Sequence, residues 1–226
     1  MKQQILALVR HGQSEANAKL TTTEDGLFYS LSRSDKDVPL TDDGLKHAAH
    51  VAKTLARVFP RQRKVARIYH TDFKRVLQML PATQQRLPYK VKHYCDSRLN
   101  KRSYGQFWNL THKGVQVLHS EEWQRYQQDG DLHYRPPEGE NYLDLFARVD
   151  DFVDNVLAPT RGNVVVFTHS VVLLSLQRRL EGLSDAEVLS HYEQQTLPNG
   201  HILFYTRANR HDAWQRCTQK SLLEKR

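Results

Sequence analysis

Cysteine is scarce in this chain, which has only Cys95 and Cys217 among its 226 residues. The two lie far apart in sequence and form no CxxC pair, which disfavours a disulfide framework or a zinc knuckle. Long hydrophobic runs are missing as well. Near the N-terminus the apolar run covers residues 5–9, too short for a signal-peptide core or a membrane span. These features predict a cytoplasmic protein in a reducing compartment, without a membrane partner.

No internal repeat, low-complexity tract or Gly/Ser linker divides the chain, so residues 1–226 are expected to form one domain. A hydrophobic content of 39% with 26% charged residues is typical of a globular protein. The net charge of +8 fits either attraction to anions, such as phosphate esters or nucleic acid, or a solvated surface. Because the basic residues are scattered and not interleaved with stacking aromatics, nucleic acid is not the expected partner.

Strand-like and helix-like segments alternate along the chain, which predicts an α/β sandwich. Strands are predicted at residues 5–9, 65–69, 91–94, 164–167 and 202–206. Helices are predicted at residues 41–59, from the cap at 71–72 to a kink or end at Pro81, across most of 120–157, at 171–180 and after 184. Residues 18–40 are polar and turn-rich and are interpreted as a long functional loop. A helical insertion is expected near 106–135.

Four residues with chemical potential follow three of the predicted strands: Arg10, His11, Arg75 and His169. Ligands of such folds bind outside the carboxyl ends of the strands, so these residues are expected at one edge of the sheet. Periodicity alone does not show that they touch. A phosphate monoester needs several fixed cationic donors, which arginine forks supply. A neutral imidazole can attack phosphorus when its other nitrogen is oriented, usually by a backbone carbonyl.

The most specific signal is the run LVRHGQSEAN at residues 8–17, directly after the first strand. It resembles the Arg-His-Gly-Glu/Gln-Ser-x-x-Asn fingerprint of the histidine phosphatase superfamily, phosphoglycerate-mutase-like branch. Further segments resemble motifs of that family in the matching order: 39–44, 69–75, 99–105, 136–141, 168–170 and 197–200. The resemblance covers most of the chain. It implies a three-layer α/β/α sandwich with a mostly parallel sheet, like that of the phosphoglycerate mutases.

The resemblance also implies roles for the four residues at the predicted sheet edge. His11 would be the nucleophile that forms a phosphohistidine. Arg10 and Arg75 would clamp the phosphoryl oxygens, and His169 would hydrogen-bond the transferring group. Such a site implies a phosphatase that acts on phosphate esters or anhydrides of small molecules.

The resemblance also implies phosphate contacts for three further residues. Asn17 would bind it directly, Ser14 would lie close by, and the backbone amide of Ser170 would donate a hydrogen bond. No metal and no other cofactor would be required. A competing interpretation, metal-dependent hydrolysis, would use His47 and His50 one helical turn apart, although two exposed histidines on an amphipathic helix explain that spacing more simply.

One position departs from the family pattern. The family's Leu-x-Glu-x-x-x-Gly segment places a glutamate as proton donor to the leaving group, whereas residues 99–105 read LNKRSYG, with Lys101 in that place. A general acid contributes about 10²–10⁴ in rate, and a free lysine with a pKa of about 10.4 is a poor one. Three outcomes stay open. Lys101 donates the proton or binds a substrate anion, a loop carboxylate (Asp35, Asp37 or Glu15) takes over, or the protein is slow or silent.

Two alternatives to a phosphatase follow from the same residues. One is a phosphoglycerate-type mutase, although residues 112–135 lack the Arg-Arg and Trp pattern expected of a glycolytic enzyme. The other is a regulatory module that binds a phosphorylated partner without turnover. Trp108 and Trp123 are interpreted as packing residues. Substrate, oligomeric state and pathway are not encoded in any recognisable motif.

Overall fold

The computed structural model describes residues 3–18, 21–194 and 197–224, without side chains for residues 191–194. Six strands form one sheet in the order β3-β2-β4-β1-β5-β6. The strands are β1 (Gln4–Arg10), β2 (Val65–His70), β3 (Lys92–Cys95), β4 (Asn163–Thr168), β5 (Ile202–Arg207) and β6 (Gln215–Cys217). Strands β3, β2, β4 and β1 run parallel, and β5 runs antiparallel to β1. The predicted α/β fold with a mostly parallel sheet is confirmed.

Helices flank the sheet along the whole chain. They are α1 (Glu15–Ala18), α2 (Asp42–Val58), α3 (Lys74–Leu77), α4 (Leu80–Arg86), α5 (His112–Leu118), α6 (Ser120–His133), α7 (Tyr142–Phe152), α8 (Ser170–Glu181), α9 (Asp185–Gln194) and α10 (Gln219–Glu224). The break between α3 and α4 falls just before Pro81, as the sequence predicts. The predicted cap at 71–72 is wrong: Phe73 precedes α3 and no side chain caps it.

The strand residues alternate between two hydrophobic layers, which makes the structure a three-layer sandwich. Leu6 and Leu8 point to one side, where they pack with α7, α8 and α9. Ile5, Ala7 and Val9 point to the other side, where they pack with α2, α4 and α10. Both faces of the central strands are therefore buried, which is why their sequences are almost continuously apolar.

The parallel register brings three strand ends together at one edge of the sheet. Arg10, the last residue of β1, pairs with Thr168, the last residue of β4. His70, the last residue of β2, pairs with Phe167 on β4. The residues that follow these ends, His11, His169 and Thr71, consequently begin three neighbouring loops.

Glycine is required where the first of these loops packs against the start of α2. A Cβ on Gly12 would collide with the backbone carbonyl of Gly44 in the first turn of that helix. This close approach fixes the loop that carries His11 on the body of the sandwich.

Within the described residues, no helix is long and apolar enough to cross a membrane. Cys95 ends β3 and Cys217 ends β6, at opposite edges of the sheet, so no disulfide joins these two residues.

Candidate active site

His11 is buried and held by the backbone on several sides. Its amide donates to the Thr168 carbonyl at 3.1 Å, and its carbonyl accepts from the Gly200 amide at 3.0 Å. On the side chain, Nδ1 lies 2.7 Å from the Gly12 carbonyl. Because a carbonyl only accepts, Nδ1 carries the proton and Nε2 is left with a lone pair. This is the orientation that a nucleophilic imidazole needs.

Burial keeps the His11 imidazole neutral. Loss of solvent, reinforced by the positive charges of Arg75 and Arg10, lowers its pKa to about 3, against the opposing effect of the Gly12 hydrogen bond. At neutral pH the Nε2 lone pair is therefore available without prior loss of a proton.

His169 lies next to His11 between β4 and α8. The two rings are 5.1 Å apart between centroids, in an edge-to-face arrangement. His169 Nε2 lies 3.4 Å from the Thr71 hydroxyl, whereas Nδ1 is buried and has no hydrogen-bond partner in the part of the chain that the structure describes. Burial, followed by the charge of Arg75, lowers the pKa of His169 well below its ordinary value. This nitrogen is free to hydrogen-bond a molecule that enters the cavity.

Arg75, on α3, brings a buried guanidinium to the same place, with only 3% of the residue exposed. Nη1 donates to the Asp35 carbonyl at 2.5 Å and to Asp35 Oδ1 at 3.1 Å. The guanidinium also lies over the Phe73 ring, 4.8 Å from its centroid. Burial lowers the pKa of Arg75 and Asp35 opposes that shift. In the part of the chain that the structure describes, the carboxylate of Asp35 is the charged partner of this buried guanidinium.

Lys101 contacts the other oxygen of the same carboxylate, with Nζ 3.0 Å from Asp35 Oδ2. Burial alone would raise the pKa of Asp35, but Lys101 and Arg75 together bring it below its ordinary value. Asp35 is thus ionised at neutral pH. Of the three loop carboxylates considered from the sequence, Asp35 alone lines the cavity described below; Glu15 and Asp37 are exposed.

The remaining predicted residues complete the inner surface. Arg10 donates through Nη1 to the Leu197 carbonyl. The Ser14 hydroxyl donates to Asn17 Oδ1 at 3.0 Å, and Asn199 Nδ2 donates to the same oxygen at 3.1 Å. Ser170 is the first residue of α8, so its amide is one that the helix itself leaves unpaired.

All eight predicted site residues line one cavity of about 580 Å³. They are Arg10, His11, Ser14, Asn17, Arg75, Lys101, His169 and Ser170. A volume in this range is typical of sites for small molecules. The structure therefore brings together in one place what the sequence could only assign to a common edge.

Two residues interpreted as packing residues also line the cavity. Trp108 and Trp123 both do so; Trp108 is 44% exposed, whereas the Trp123 ring packs against His112 and Tyr126. The available signal was the density of aromatic residues between 104 and 134.

Glu140 and Arg148 hold the segment that carries Lys101. Glu140 Oε2 accepts the Ser103 amide at 2.9 Å, and its Oε1 pairs with Arg148 Nε at 2.7 Å. Arg148 Nη1 also donates to the Arg98 carbonyl at 2.6 Å. Glu140 and Arg148 thus hold residues 98–103 in place through hydrogen bonds at both ends of that segment.

Over residues 3–18, 21–194 and 197–224, no cluster of three or more His, Cys, Asp or Glu side chains is placed to hold a metal ion. His47 instead accepts the Gln13 amide at 3.3 Å through Nδ1, and His50 is exposed.

Residues 6–215 match the family model of the histidine phosphatase superfamily, branch 1. A 2,3-bisphosphoglycerate-dependent phosphoglycerate mutase from Neisseria meningitidis serogroup C is 26% identical over 228 residues, covering 88% of this chain and 93% of the mutase.

Solved structures share the fold. A putative alpha-ribazole-5'-P phosphatase from Escherichia coli superposes with a TM-score of 0.70 at 19% identity, covering 95% of this chain and 96% of the other. A mycobacterial glucosyl-3-phosphoglycerate phosphatase superposes with a TM-score of 0.67 at 20% identity, covering 95% and 98%.

Proposed function

The chain belongs to branch 1 of the histidine phosphatase superfamily, and on that premise we propose that it hydrolyses phosphate esters or anhydrides of small molecules through a phosphohistidine at His11. The observation that carries the proposal is the state of the His11 ring. It is buried and neutral, with Nδ1 tied to the Gly12 carbonyl, and it shares a cavity with Arg75 and His169. These are the parts that phosphoryl transfer to nitrogen requires.

The phosphoryl group would take the place that Asp35 now occupies on Arg75. A dianion satisfies a buried guanidinium better than one carboxylate, because it offers more oxygens and more charge. Arg10 and the Ser170 amide would bind further oxygens, and a phosphoryl oxygen would partner the unsatisfied nitrogen of His169. Ser14 and Asn17 would complete the inner wall of the cavity.

In the first step Nε2 of His11 attacks phosphorus, the bond from phosphorus to the ester oxygen breaks, and the leaving oxygen takes up one proton. In the second step water attacks the phosphohistidine, the nitrogen–phosphorus bond breaks, and orthophosphate leaves. One proton of the water restores the donor used in the first step, and cleavage of the nitrogen–phosphorus bond returns the lone pair to His11 Nε2. The surrounding arginines and imidazoles stabilise the charge, and we propose no metal or other cofactor.

The proton donor in this proposal is Lys101, which Asp35 holds at the cavity. Asp35 is ionised and cannot donate from its resting state, whereas the Lys101 amino group donates a hydrogen bond to it and lines the cavity. An ammonium is a weaker acid than a carboxylic acid. We therefore expect impaired activity on alcohols that leave poorly and selectivity for good leaving groups.

A second candidate, a phosphoglycerate-type mutase, is favoured by the similarity to mutase sequences. A mutase would require a bisphosphate primer and would return phosphate to a substrate hydroxyl rather than to water. A third, a phosphate-binding regulatory module, follows from the missing glutamate and would bind phosphate without turnover.

The test is hydrolysis of para-nitrophenyl phosphate by the wild type and by His11→Ala, with His50→Ala as the matched control because that histidine is exposed on α2. We expect nitrophenol release by the wild type and by His50→Ala, loss of at least about 10³-fold in His11→Ala, and no effect of a chelator. Phosphate binding without release by any of the three proteins would identify the regulatory module.

We also place the protein in the cytoplasm, because its two cysteines lie at opposite edges of the sheet and form no pair. In the same proposal residues 1–226 form one domain.

A further inference from the structure

The cavity has a surface that phosphate chemistry leaves unexplained. Trp108, Trp123, Tyr126 and Tyr134 all line it, and we refer to these four residues as the aromatic wall. Their helices and turns belong to the segment near 106–135. A phosphoryl group fills a minor part of about 580 Å³, so most of the space belongs to the rest of the substrate.

Three of the four rings form a continuous packed surface. The Trp123 and Tyr126 rings are 5.3 Å apart between centroids, and the Tyr126 and Tyr134 rings are also 5.3 Å apart, edge to face. Aromatic rings packed in this way hold one another in place and present a rigid surface at little cost in conformational entropy.

The two tyrosine hydroxyls of the wall already have partners in the protein. The Tyr126 hydroxyl donates to Asp131 Oδ1 at 2.8 Å, and the Tyr134 hydroxyl donates to Glu122 Oε2 at 3.0 Å. A substrate hydroxyl packed against these rings would lose its water and gain little in return. These rings therefore favour contact with an apolar group.

The rim of the cavity exposes aromatic surface as well. Trp108 is 44% exposed and Tyr104 is 38% exposed. Both line the cavity, and Arg102 stacks on Tyr104 at 4.5 Å. Large exposed aromatics beside a cavity are a signature of a binding surface rather than of packing.

We propose that the substrate is the phosphate monoester of an aromatic or similarly bulky apolar alcohol, whose apolar group packs on the aromatic wall while the phosphoryl group meets His11. This inference rests on the proposed function, because it assigns the substrate class of the same cavity. It is independent of leaving-group acidity, since it concerns the group that the wall contacts.

The experiment compares three esters that release primary alcohols of similar acidity: 2-phenylethyl phosphate, ethyl phosphate and glucose 6-phosphate. We expect kcat/KM for 2-phenylethyl phosphate to exceed that for each of the others by about 10²-fold, the scale on which apolar pockets discriminate. Equal values, or a preference for the sugar phosphate, would overturn the inference and leave the proposed phosphatase intact.

Variants locate the preference. Trp108→Ala, at an exposed position, should lower the ratio of kcat/KM for 2-phenylethyl phosphate to that for ethyl phosphate about tenfold. Trp123→Ala should do the same, and thermal melts of both variants verify that they fold. Val117→Ala is the matched control, because Val117 is 59% exposed on α5 and does not line the cavity. An unchanged ratio in both folded tryptophan variants contradicts the role of the wall.

A binding measurement separates this inference from the proposed function. Calorimetry on His11→Ala, with 2-phenylethyl phosphate and ethyl phosphate as ligands, reports the contribution of the wall without turnover. At least tenfold tighter binding of the phenylethyl ester supports the inference even if the wild type hydrolyses nothing. Equal binding overturns it even if the wild type is an active phosphatase.

Discussion

Asp35 joins Arg75 to Lys101: its Oδ1 lies 3.1 Å from Arg75 Nη1, and its Oδ2 lies 3.0 Å from Lys101 Nζ. The residue in the place of the family's glutamate is thereby tied to the guanidinium proposed to bind phosphate. An entering phosphoryl dianion must compete with this carboxylate for Arg75. Lys101 and Asp35 form an ion pair, so a change at either residue is expected to affect the other.

Replacing Asp35 with asparagine removes the competing charge. Two unit charges about 4 Å apart interact by about 4 kcal/mol at an effective dielectric constant near 20, and solvent reduces this. We expect the inhibition constant of orthophosphate against para-nitrophenyl phosphate to fall about tenfold in Asp35→Asn. Asp37→Asn, an exposed position on the same loop, should leave it unchanged. Weaker inhibition in Asp35→Asn contradicts the competition.

Lys101→Glu tests the proton donor. The wild type should favour aryl phosphates over sugar phosphates strongly, because aryl oxides leave without protonation. A glutamate beside Asp35 forms a carboxylate pair in which one pKa rises, which supplies a better acid. We expect the ratio of aryl to sugar phosphate kcat/KM to fall at least tenfold.

Two further variants serve as controls for that measurement. Lys101→Met removes the charge without adding an acid and should not narrow the ratio. The double variant Asp35→Asn/Lys101→Glu shows whether the carboxylate pair is needed. If wild type and Lys101→Glu give equal ratios, Lys101 does not account for the selectivity.

Stability should depend on pH through His11. Its folded pKa of about 3 lies below the unfolded value of about 6.5, so the unfolded chain binds a proton that the folded chain does not. The contribution of neutral His11 to the free energy of unfolding is therefore complete above pH 6.5 and is lost as pH falls toward 3. In His11→Ala the slope between about pH 6 and 4 should be smaller by up to about 1.4 kcal/mol per pH unit. Urea unfolding measures it, and a slope equal to the wild type's indicates an ordinary His11.

Arg148→Met tests the tie that holds the Lys101 segment. Arg148 and Glu140 are largely buried, with 18% and 24% of their side chains exposed. Removing one partner of such a pair should cost about 2 kcal/mol of unfolding free energy and should lower kcat/KM as the segment loosens. Lys46→Met, which breaks an exposed pair with Asp43, should cost less than about 1 kcal/mol. Equal losses of unfolding free energy in Arg148→Met and Lys46→Met, measured by chemical denaturation, would show that the Arg148 pair contributes no more than an exposed ion pair.

The fold was largely predictable because its central strands are buried on both faces. A run such as residues 5–9 has almost no alternative in a protein of this size. The short edge strand Gln215–Cys217 was missed, since three residues, two of them exposed, are too few to show a periodicity. The cap at 71–72 was also mispredicted, because the Thr71 side chain lies near His169 instead.

The sequence predicts which residues lie at the site but not which of them pair with one another. Strand ends place His11 and His169 at one edge, and the structure sets their rings 5.1 Å apart. The pairing of Lys101 with Asp35 spans 66 positions along the chain and involves a loop without periodicity, so only tertiary packing determines it. The aromatic wall escaped for the same reason, since sequence cannot tell a ring that faces a cavity from one that faces a core.

The most direct test of His11 as the nucleophile is detection of the covalent intermediate. Wild-type protein mixed with para-nitrophenyl phosphate and quenched in base, which preserves phosphohistidine, is digested and analysed by mass spectrometry. We expect one phosphoryl group on the peptide that contains residue 11, at the His11 ring, and none in His11→Ala. Turnover that proceeds with no adduct, or with an adduct on another residue, would contradict it.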